Sequence, residues 1–146
     1  MIMGDADKAY VFGTIFTLSN KLQIAGDRLD PQLSVKQWLF LAGVLRCEND
    51  MPTLSEVAVR IGSSRQNVKK TALILERQGF VSIRKDEADA RMMRIHLTEA
   101  CRVHLKQRED MEKRFIEELF EGVGEQDILA LRAALQKLEK NVKRMR

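Results

Sequence analysis

The sequence predicts a mostly α-helical protein with one small β-hairpin, and three observations lead to this prediction. Apolar residues recur at helical spacing through most of the 146 residues. Alternation of apolar and polar residues is confined to two short stretches between residues 81 and 97. The composition, 45% hydrophobic and 32% charged with two prolines, is that of a globular protein. A chain of this length is expected to form a single domain over residues 1–146.

The bulk features also exclude several classes. No apolar run of about 18 residues and no charged-then-apolar leader occurs, so neither a membrane span nor a signal peptide is expected. Cys47 and Cys101 provide no disulfide framework, which favours a reducing, cytoplasmic location. No P-loop, dinucleotide motif or Ser/His/Asp arrangement is found, so we expect neither an enzyme nor a cofactor.

Two helices are predicted in the first third of the chain. The first runs from Asp5 to about Gly26. Ser34 begins the second, and Gln37, three residues later, is its partner in a capping box. The stripe that the second helix is expected to bury consists of Trp38, Leu41, Ala42 and Leu45.

Two short helices joined by a tight turn follow. Thr53 caps the first with Glu56 as its reciprocal partner, Gly62 ends it, and Ser63 caps the second, which extends to about Gln78. This pattern is the sequence form of a helix-turn-helix.

A hairpin and further helices complete the prediction. Strands lie around 81–83 and 93–97, with the polar stretch 85–90 as the tip, so the hairpin forms a wing beside the helix-turn-helix. Thr98 then begins a long helix that reaches about Phe120.

The last helix carries a narrow apolar seam. It follows the break at residues 122–124, and its seam residues repeat at steps of 3 and 4. Because the core is expected to occupy the other helices, a second copy of the chain is the expected partner, in a C2 homodimer. The seam consists of Ile128, Leu131, Leu135, Leu138, Val142 and Met145.

The positive charge is concentrated in one quarter of the chain. Between Gly62 and Leu97 lie eight cations and four anions, which account for the entire net charge of +4. A concentrated patch of this kind is what a polyanionic partner requires.

The second helix of the helix-turn-helix suits DNA at its N-terminal end, where a recognition helix meets base edges in the major groove. Arg pairs with guanine, and Gln and Asn pair with adenine, while the lysines one turn on suit phosphates or base edges. Serines at helix N-termini can hold phosphate oxygens. The expected DNA contacts from the two helices are Ser55, Ser63, Ser64, Arg65, Gln66, Asn67, Lys69 and Lys70.

The wing is expected to enter the flanking minor groove through a cation near its tip. Asp86, Glu87 and Asp89 would repel phosphate unless they are paired. Asp89 lies two residues from an arginine and can hold that guanidinium in place. The wing cations are Arg84, Lys85 and Arg91.

These residues resemble a known family. Asp89-Ala90-Arg91, followed by Leu97-Thr98, resembles the D-x-R…LT wing signature of the MarR (multiple antibiotic resistance regulator) family. Gln37-Trp38 and the stretch 75–81 match as well, and the resemblance covers essentially the whole chain. Two positions depart from the family pattern: Ala90 replaces a second basic residue, and Ala100-Cys101 replaces a Lys-Gly pair.

The resemblance implies a dimeric winged helix-turn-helix transcription regulator. The DNA-binding lobe would span about 34–98, and helices at about 5–26 and 98–146 would form the dimerisation region. Arg91 would be the minor-groove arginine and Asp89 its orienting partner. We therefore expect a repressor of a pseudo-palindromic operator.

Several alternatives stay open. A small-molecule effector is implied by the resemblance, with Tyr10, Phe12, Phe16 and Trp38 as candidate lining of a cleft, although each of these also suits simple core packing. Cys47 and Cys101 could sense thiol redox state. Cys101 with His104 and His96 is a weak metal pattern without a clear fourth ligand, so no metal is expected. A winged helix that binds protein instead of DNA is the alternative from another class.

Overall fold

The computed structural model describes residues 5–145, which form seven helices and one two-stranded antiparallel sheet. This confirms the predicted class, mostly helical with a small β-wing. The described residues divide into two compact units, one ending at Gln107 and the other beginning at Arg108. The elements are α1 (Ala6–Asp27), α2 (Val35–Arg46), α3 (Leu54–Ile61), α4 (Arg65–Arg77), β1 (Val81–Lys85), β2 (Met93–Leu97), α5 (Glu99–Gln107), α6 (Glu109–Leu119) and α7 (Glu125–Arg144).

One hydrophobic core organises the first unit. It collects buried side chains from α2, α3, α4, both strands and the start of α5. The hairpin contributes through the register that places Val81 opposite Leu97 and Ile83 opposite Ile95. The largest fully buried side chains are Phe40, Leu33, Leu41, Leu75, Ile95, Val57, Val68, Pro52 and Cys101.

The buried face of α2 differs from the predicted stripe. Leu41 is buried as expected, but Leu45 is 56% exposed, and Phe40 and Val44 are buried instead. The physical reason is Gly43, where an added Cβ would lie 2.5 Å from Cγ2 of Ile61. This close approach of α3 turns the Gly43 side of α2 inward and the Leu45 side outward.

The predicted caps of α2 and α3 are confirmed, whereas the cap of α4 lies one residue later than predicted. Ser34 and Gln37 form the complete capping box. Thr53 Oγ1 accepts the Glu56 N–H at 3.1 Å, but the reciprocal bond from the Glu56 side chain is not among the contacts of this cap. The cap of α4 is Ser64, not Ser63.

The first helix is largely exposed, so the prediction that the core occupies it is wrong. Among the residues of α1 only Gly26 is buried, and Tyr10 is 71% exposed. Apolar side chains surround this helix on several sides, so one packed stripe cannot cover them all. None of the helices within residues 5–145 combines the length and apolar character needed to cross a bilayer.

The predicted long helix after Thr98 is two helices. A single residue, Arg108, with φ of −94° and ψ of 0°, separates α5 from α6. The first turn of α6 carries Glu109, Asp110 and Glu112. Carboxylates favour a helix N-terminus, so this acidic cluster is the sequence signal for the new start.

Candidate nucleic-acid interface

The turn between α3 and α4 fixes the start of the second helix. Gly62 adopts a left-handed conformation with φ of 68°, which glycine reaches without steric cost. The Ser63 N–H donates to the Ala58 carbonyl at 3.0 Å and closes the end of α3. Ser63 is thereby used by the turn, and the extended Ser64 becomes the cap of α4.

We call the exposed side of α4 the reading face. Its opposite side is fixed in the core, where Val68, Ala72 and Leu75 are buried as predicted. Every side chain of the reading face is exposed, so the fold leaves its donors and acceptors open to a ligand. The reading face consists of Arg65, Gln66, Asn67, Lys69 and Lys70.

The three predicted serines occupy different positions. Ser64 Oγ accepts the Asn67 N–H at 3.1 Å, so its capping role is filled, and its own hydroxyl proton can still donate. Ser63 is half-buried in the turn. Ser55 is exposed in the first turn of α3, where unpaired helix N–H groups favour an anion.

The wing tip presents one arginine in a defined orientation. Arg91 Nε donates to Asp89 Oδ1 at 3.1 Å and a terminal nitrogen donates to Oδ2 at 3.3 Å. The Asp89 Oδ1 also accepts the Arg91 backbone N–H at 3.0 Å. The predicted hold of Asp89 on Arg91 is thus present, and the Arg91 side chain remains 91% exposed. The hydrogen bond from Arg91 lowers the pKa of the Asp89 carboxyl.

The remaining acidic residues of the basic quarter are engaged within the protein, except for the exposed Glu87, for which no contact is described. Asp86 Oδ1 lies 2.5 Å from Arg94 Nε, and this hydrogen bond lowers the pKa of the Asp86 carboxyl. Glu76 Oε2 accepts the Ile83 N–H at 2.8 Å, which ties the end of α4 to β1. From the sequence, the acidic residues of the wing must be paired if they are not to repel phosphate. Asp86 and Asp89 are paired, each with an arginine.

The two other wing cations lie on β1 and not at the tip. Arg84 and Lys85 are exposed, and their register partners are Arg94 and Met93. Lys85 was expected to open the tip, but it is the last residue of the strand. The tip therefore begins at Asp86.

A cavity of about 470 Å³ borders the reading face. Its apolar wall includes Leu39, Phe40 and Ile74, and Lys36 and Lys70 also line it. The predicted aromatic lining lies elsewhere. Tyr10, Phe12 and Phe16 are exposed on α1, and Trp38 packs against the core; none of the four lines this cavity.

Both cysteines are poor candidates for a redox sensor. Burial raises the pKa of the Cys101 thiol. Burial, and next the carboxylate of Glu56, raise the pKa of the Cys47 thiol. Because the thiolate is the reactive form, a raised pKa lowers the reactivity of both thiols. This argues against the thiol-sensing alternative.

The weak metal pattern is not assembled. His104 Nε2 lies 2.7 Å from Asp30 Oδ2, and the ring of His104 also stacks near Phe80. Within residues 5–145, no group of three or more His, Cys, Asp or Glu side chains is arranged to hold a metal ion.

A helix-turn-helix followed by an antiparallel hairpin that packs on its core defines a winged helix protein. Solved structures of this class align with most of the chain. A MarR/EmrR family transcriptional regulator from Acinetobacter sp. ADP1 is 20% identical with a TM-score of 0.81, covering 94% of this chain and 98% of that one. An organohalide-sensing regulator, RdhR-CbdbA1625, solved with 2,4-dichlorophenol, is 20% identical with a TM-score of 0.80 over 94% and 82% of the two chains.

A third structure is the most similar of these in sequence. The M. tuberculosis transcriptional regulator MOSR, solved in complex with DNA, is 28% identical with a TM-score of 0.75 over 89% of this chain and 93% of that one. No family model matches the chain. The chain has the fold of the MarR family of transcriptional regulators, which confirms the resemblance predicted from its sequence.

Proposed function

We propose that this chain is a sequence-specific, double-stranded DNA-binding transcription regulator. It acts without catalysis, in the cytoplasm, as a homodimeric repressor of a pseudo-palindromic operator. The observation that carries the proposal is the exposure of Arg65, Gln66 and Asn67 at the start of a helix whose other face is locked in the core. These three side chains have the donor and acceptor patterns that distinguish base pairs in the major groove.

The wing supplies a second contact. Arg91 projects from the tip with its orientation held by Asp89, as insertion into a narrow, electronegative minor groove requires. Because Asp86 and Asp89 are paired with arginines, the acidic residues of the wing oppose a phosphate backbone less than their number suggests. MOSR, which shares the fold, was solved bound to DNA.

The proposal is tested by selecting duplexes from a random-sequence pool with the purified chain, and then measuring affinity for the selected duplex across salt concentrations. We expect an enriched pseudo-palindrome and an affinity that falls steeply with salt. Repeating the selection with candidate metabolites tests for an effector. Failure to enrich any sequence, together with salt-insensitive binding, would favour a winged helix that binds protein.

Replacing Lys69 with Ala is expected to weaken binding evenly across DNA sequences. Lys69 is an exposed cation one turn into α4, suited to a phosphate. Loss of one phosphate contact reduces the slope of log affinity against log salt by about 1. Lys106, an exposed lysine on α5, is the matched control, and Lys106→Ala should leave the slope unchanged. Equal slopes for Lys69→Ala and the parent would remove Lys69 from the interface.

The proposed homodimer is supported by the apolar residues that are exposed on α1 and α7. No residue of α7 is buried, and five of the six predicted seam residues lie in it at the spacing of a two-helix interface, whereas Met145 follows the helix in an extended conformation. Large exposed apolar surfaces mark sites of association. A second copy of the chain fits because a C2 interface is self-complementary, and a pseudo-palindromic operator requires the same symmetry.

Placing glutamates in the seam should convert the dimer to a monomer. We expect the double variant Leu131→Glu/Leu138→Glu to sediment at half the parent mass, because it would bury unpaired charge between the subunits. The control is Ala133→Glu/Lys140→Glu, which adds two glutamates on the opposite side of the same helix. A seam variant that stays dimeric would place the interface elsewhere.

The cavity beside the reading face is the candidate site for a small-molecule effector. The cavity beside the reading face joins an apolar wall to Lys36 and Lys70, a combination suited to a small apolar molecule that carries an acidic group. Asn67 and Lys70 belong both to this cavity and to the reading face, so a bound ligand would compete with DNA. The aromatic set of Tyr10, Phe12, Phe16 and Trp38 remains a second candidate lining.

A further inference from the structure

We propose that Asp86 and Arg94 are positioning residues for DNA binding, which hold the wing tip in place relative to the helix-turn-helix without contacting DNA. This inference rests on the proposed function. It also reverses the simplest interpretation of the sequence, in which Asp86 opposes DNA and Arg94 adds to the basic patch.

Arg94 joins the hairpin to the segment that leads into α3. Its guanidinium is half-buried and divides its donors between two partners. Nε donates to Asp86, and a terminal nitrogen donates to the Met51 carbonyl at 2.8 Å. The backbone reinforces this junction, since Arg94 bridges to Thr53 and the Ile95 N–H donates to the Pro52 carbonyl at 2.9 Å. Arg94 is therefore committed inside the protein and is not presented to a ligand.

Asp86 connects that junction to the wing tip. While Oδ1 accepts from Arg94, Oδ2 accepts the backbone N–H groups of Ala88 at 3.0 Å and Asp89 at 2.9 Å. The Asp86 N–H donates to the Met92 carbonyl at 2.9 Å and closes the turn. One carboxylate thus shapes the loop that carries Asp89.

These contacts form a continuous chain from the helix-turn-helix to the groove-binding side chain. Met51 holds Arg94, Arg94 holds Asp86, Asp86 sets the backbone of Asp89, and Asp89 holds Arg91. A two-stranded hairpin is only marginally stable alone, so its tip needs such ties to stay in one position. Ordering the tip before DNA arrives removes an entropic cost from binding.

The test uses two variants that change charge identically. Asp86→Asn and Glu87→Gln each remove one negative charge from the wing, and Glu87 is exposed. If wing acids act only by repelling DNA, both variants bind the selected duplex more tightly. We expect Glu87→Gln to bind as well as the parent or better, and Asp86→Asn to bind about tenfold more weakly. The Asn side chain has a single acceptor oxygen, so it cannot accept from Arg94 and from the N–H groups of Ala88 and Asp89 at the same time.

A double-variant comparison separates positioning from a general loss of structure. If Asp86 acts through Arg91, Asp86→Asn should cost little further affinity in a chain that already carries Arg91→Ala. Arg94→Lys gives an independent check, since it keeps the charge but cannot reach both partners. We expect it to lose wing binding, whereas a phosphate-contacting residue would tolerate lysine. Arg94→Lys also serves if Asp86→Asn fails to fold.

The inference is wrong if Asp86→Asn binds the duplex as tightly as Glu87→Gln does. It is also wrong if the double variant Asp86→Asn/Arg91→Ala loses affinity by the full product of the two single-variant losses. Both results presuppose that the parent chain binds the selected duplex. Failure of the parent to bind any duplex would instead overturn the proposed function, so the two failures are distinguishable.

Discussion

Replacing Phe40 with Ala should lower the free energy of unfolding by about 3–5 kcal/mol, the largest effect we expect from one substitution. Phe40 is fully buried in the core that also contains Val68 and Leu75 of α4. Its removal leaves a cavity beneath the reading face, so the start of α4 also loses its fixed position. We therefore expect DNA affinity to fall together with stability.

Denaturant unfolding followed by circular dichroism measures this effect at a fixed chain concentration. The control on the same helix is Leu45→Ala, which truncates a 56% exposed side chain. We expect its cost to stay within about 0.5 kcal/mol, as for other surface substitutions. Equal costs for Phe40→Ala and Leu45→Ala would contradict the assignment of the buried face of α2.

Replacing Arg65 with Ala should cost about 1–3 kcal/mol of binding free energy to the selected duplex and should relax sequence preference at one base pair of each half-site. Arg65 is the first residue of α4 and is exposed. A guanidinium there can donate two hydrogen bonds to one guanine, and alanine cannot replace either. The cost should therefore appear on the preferred duplex and shrink on a duplex with that base pair changed.

Competition binding against duplexes with single base-pair changes measures this preference. Arg77, an exposed cation at the other end of the same helix, provides the matched control. Arg77→Ala removes the same charge, and we expect it to leave sequence preference unchanged. A uniform loss across all duplexes for Arg65→Ala would make Arg65 a phosphate contact and not a base contact.

The features that the sequence predicts well are local ones. The cap at Ser34 depends on Gln37 three residues away, and the hold of Asp89 on Arg91 spans two residues. In both cases the spacing alone brings the groups within hydrogen-bonding distance. The same holds for the inward residues of α4, because helical periodicity fixes which side chains share a face.

The features that the sequence did not predict depend on contacts between distant segments. The rotation of α2 results from the approach of Ile61 to Gly43, 18 residues apart in the chain. The bond from Arg94 to the Met51 carbonyl spans 43 residues, so the sequence does not distinguish Arg94 from the exposed cations of the basic quarter. Such pairings follow from the packed arrangement of helices and hairpin, which periodicity does not specify.

The cap of α4 depends on both local sequence and the neighbouring turn. Ser63 and Ser64 both suit a helix cap, and the sequence predicts Ser63. The turn at Gly62 decides between them, because closing α3 uses the N–H of Ser63 and shifts the start of α4 by one residue. A break between two helices is also hard to predict when the helical spacing of apolar residues continues across it. At Arg108 the sequence signal for the break is the acidic first turn of α6.

Hydroxyl-radical and methylation footprinting of the selected duplex tests the central claim most directly. We predict two protected major-groove segments about one helical turn apart, each flanked by a protected minor groove. In Arg91→Ala the flanking minor-groove protection should disappear while the major-groove protection remains. A selected duplex without discrete protection, or an Arg91→Ala footprint identical to that of the parent, would contradict the assignment of α4 and the wing as the DNA-binding surface.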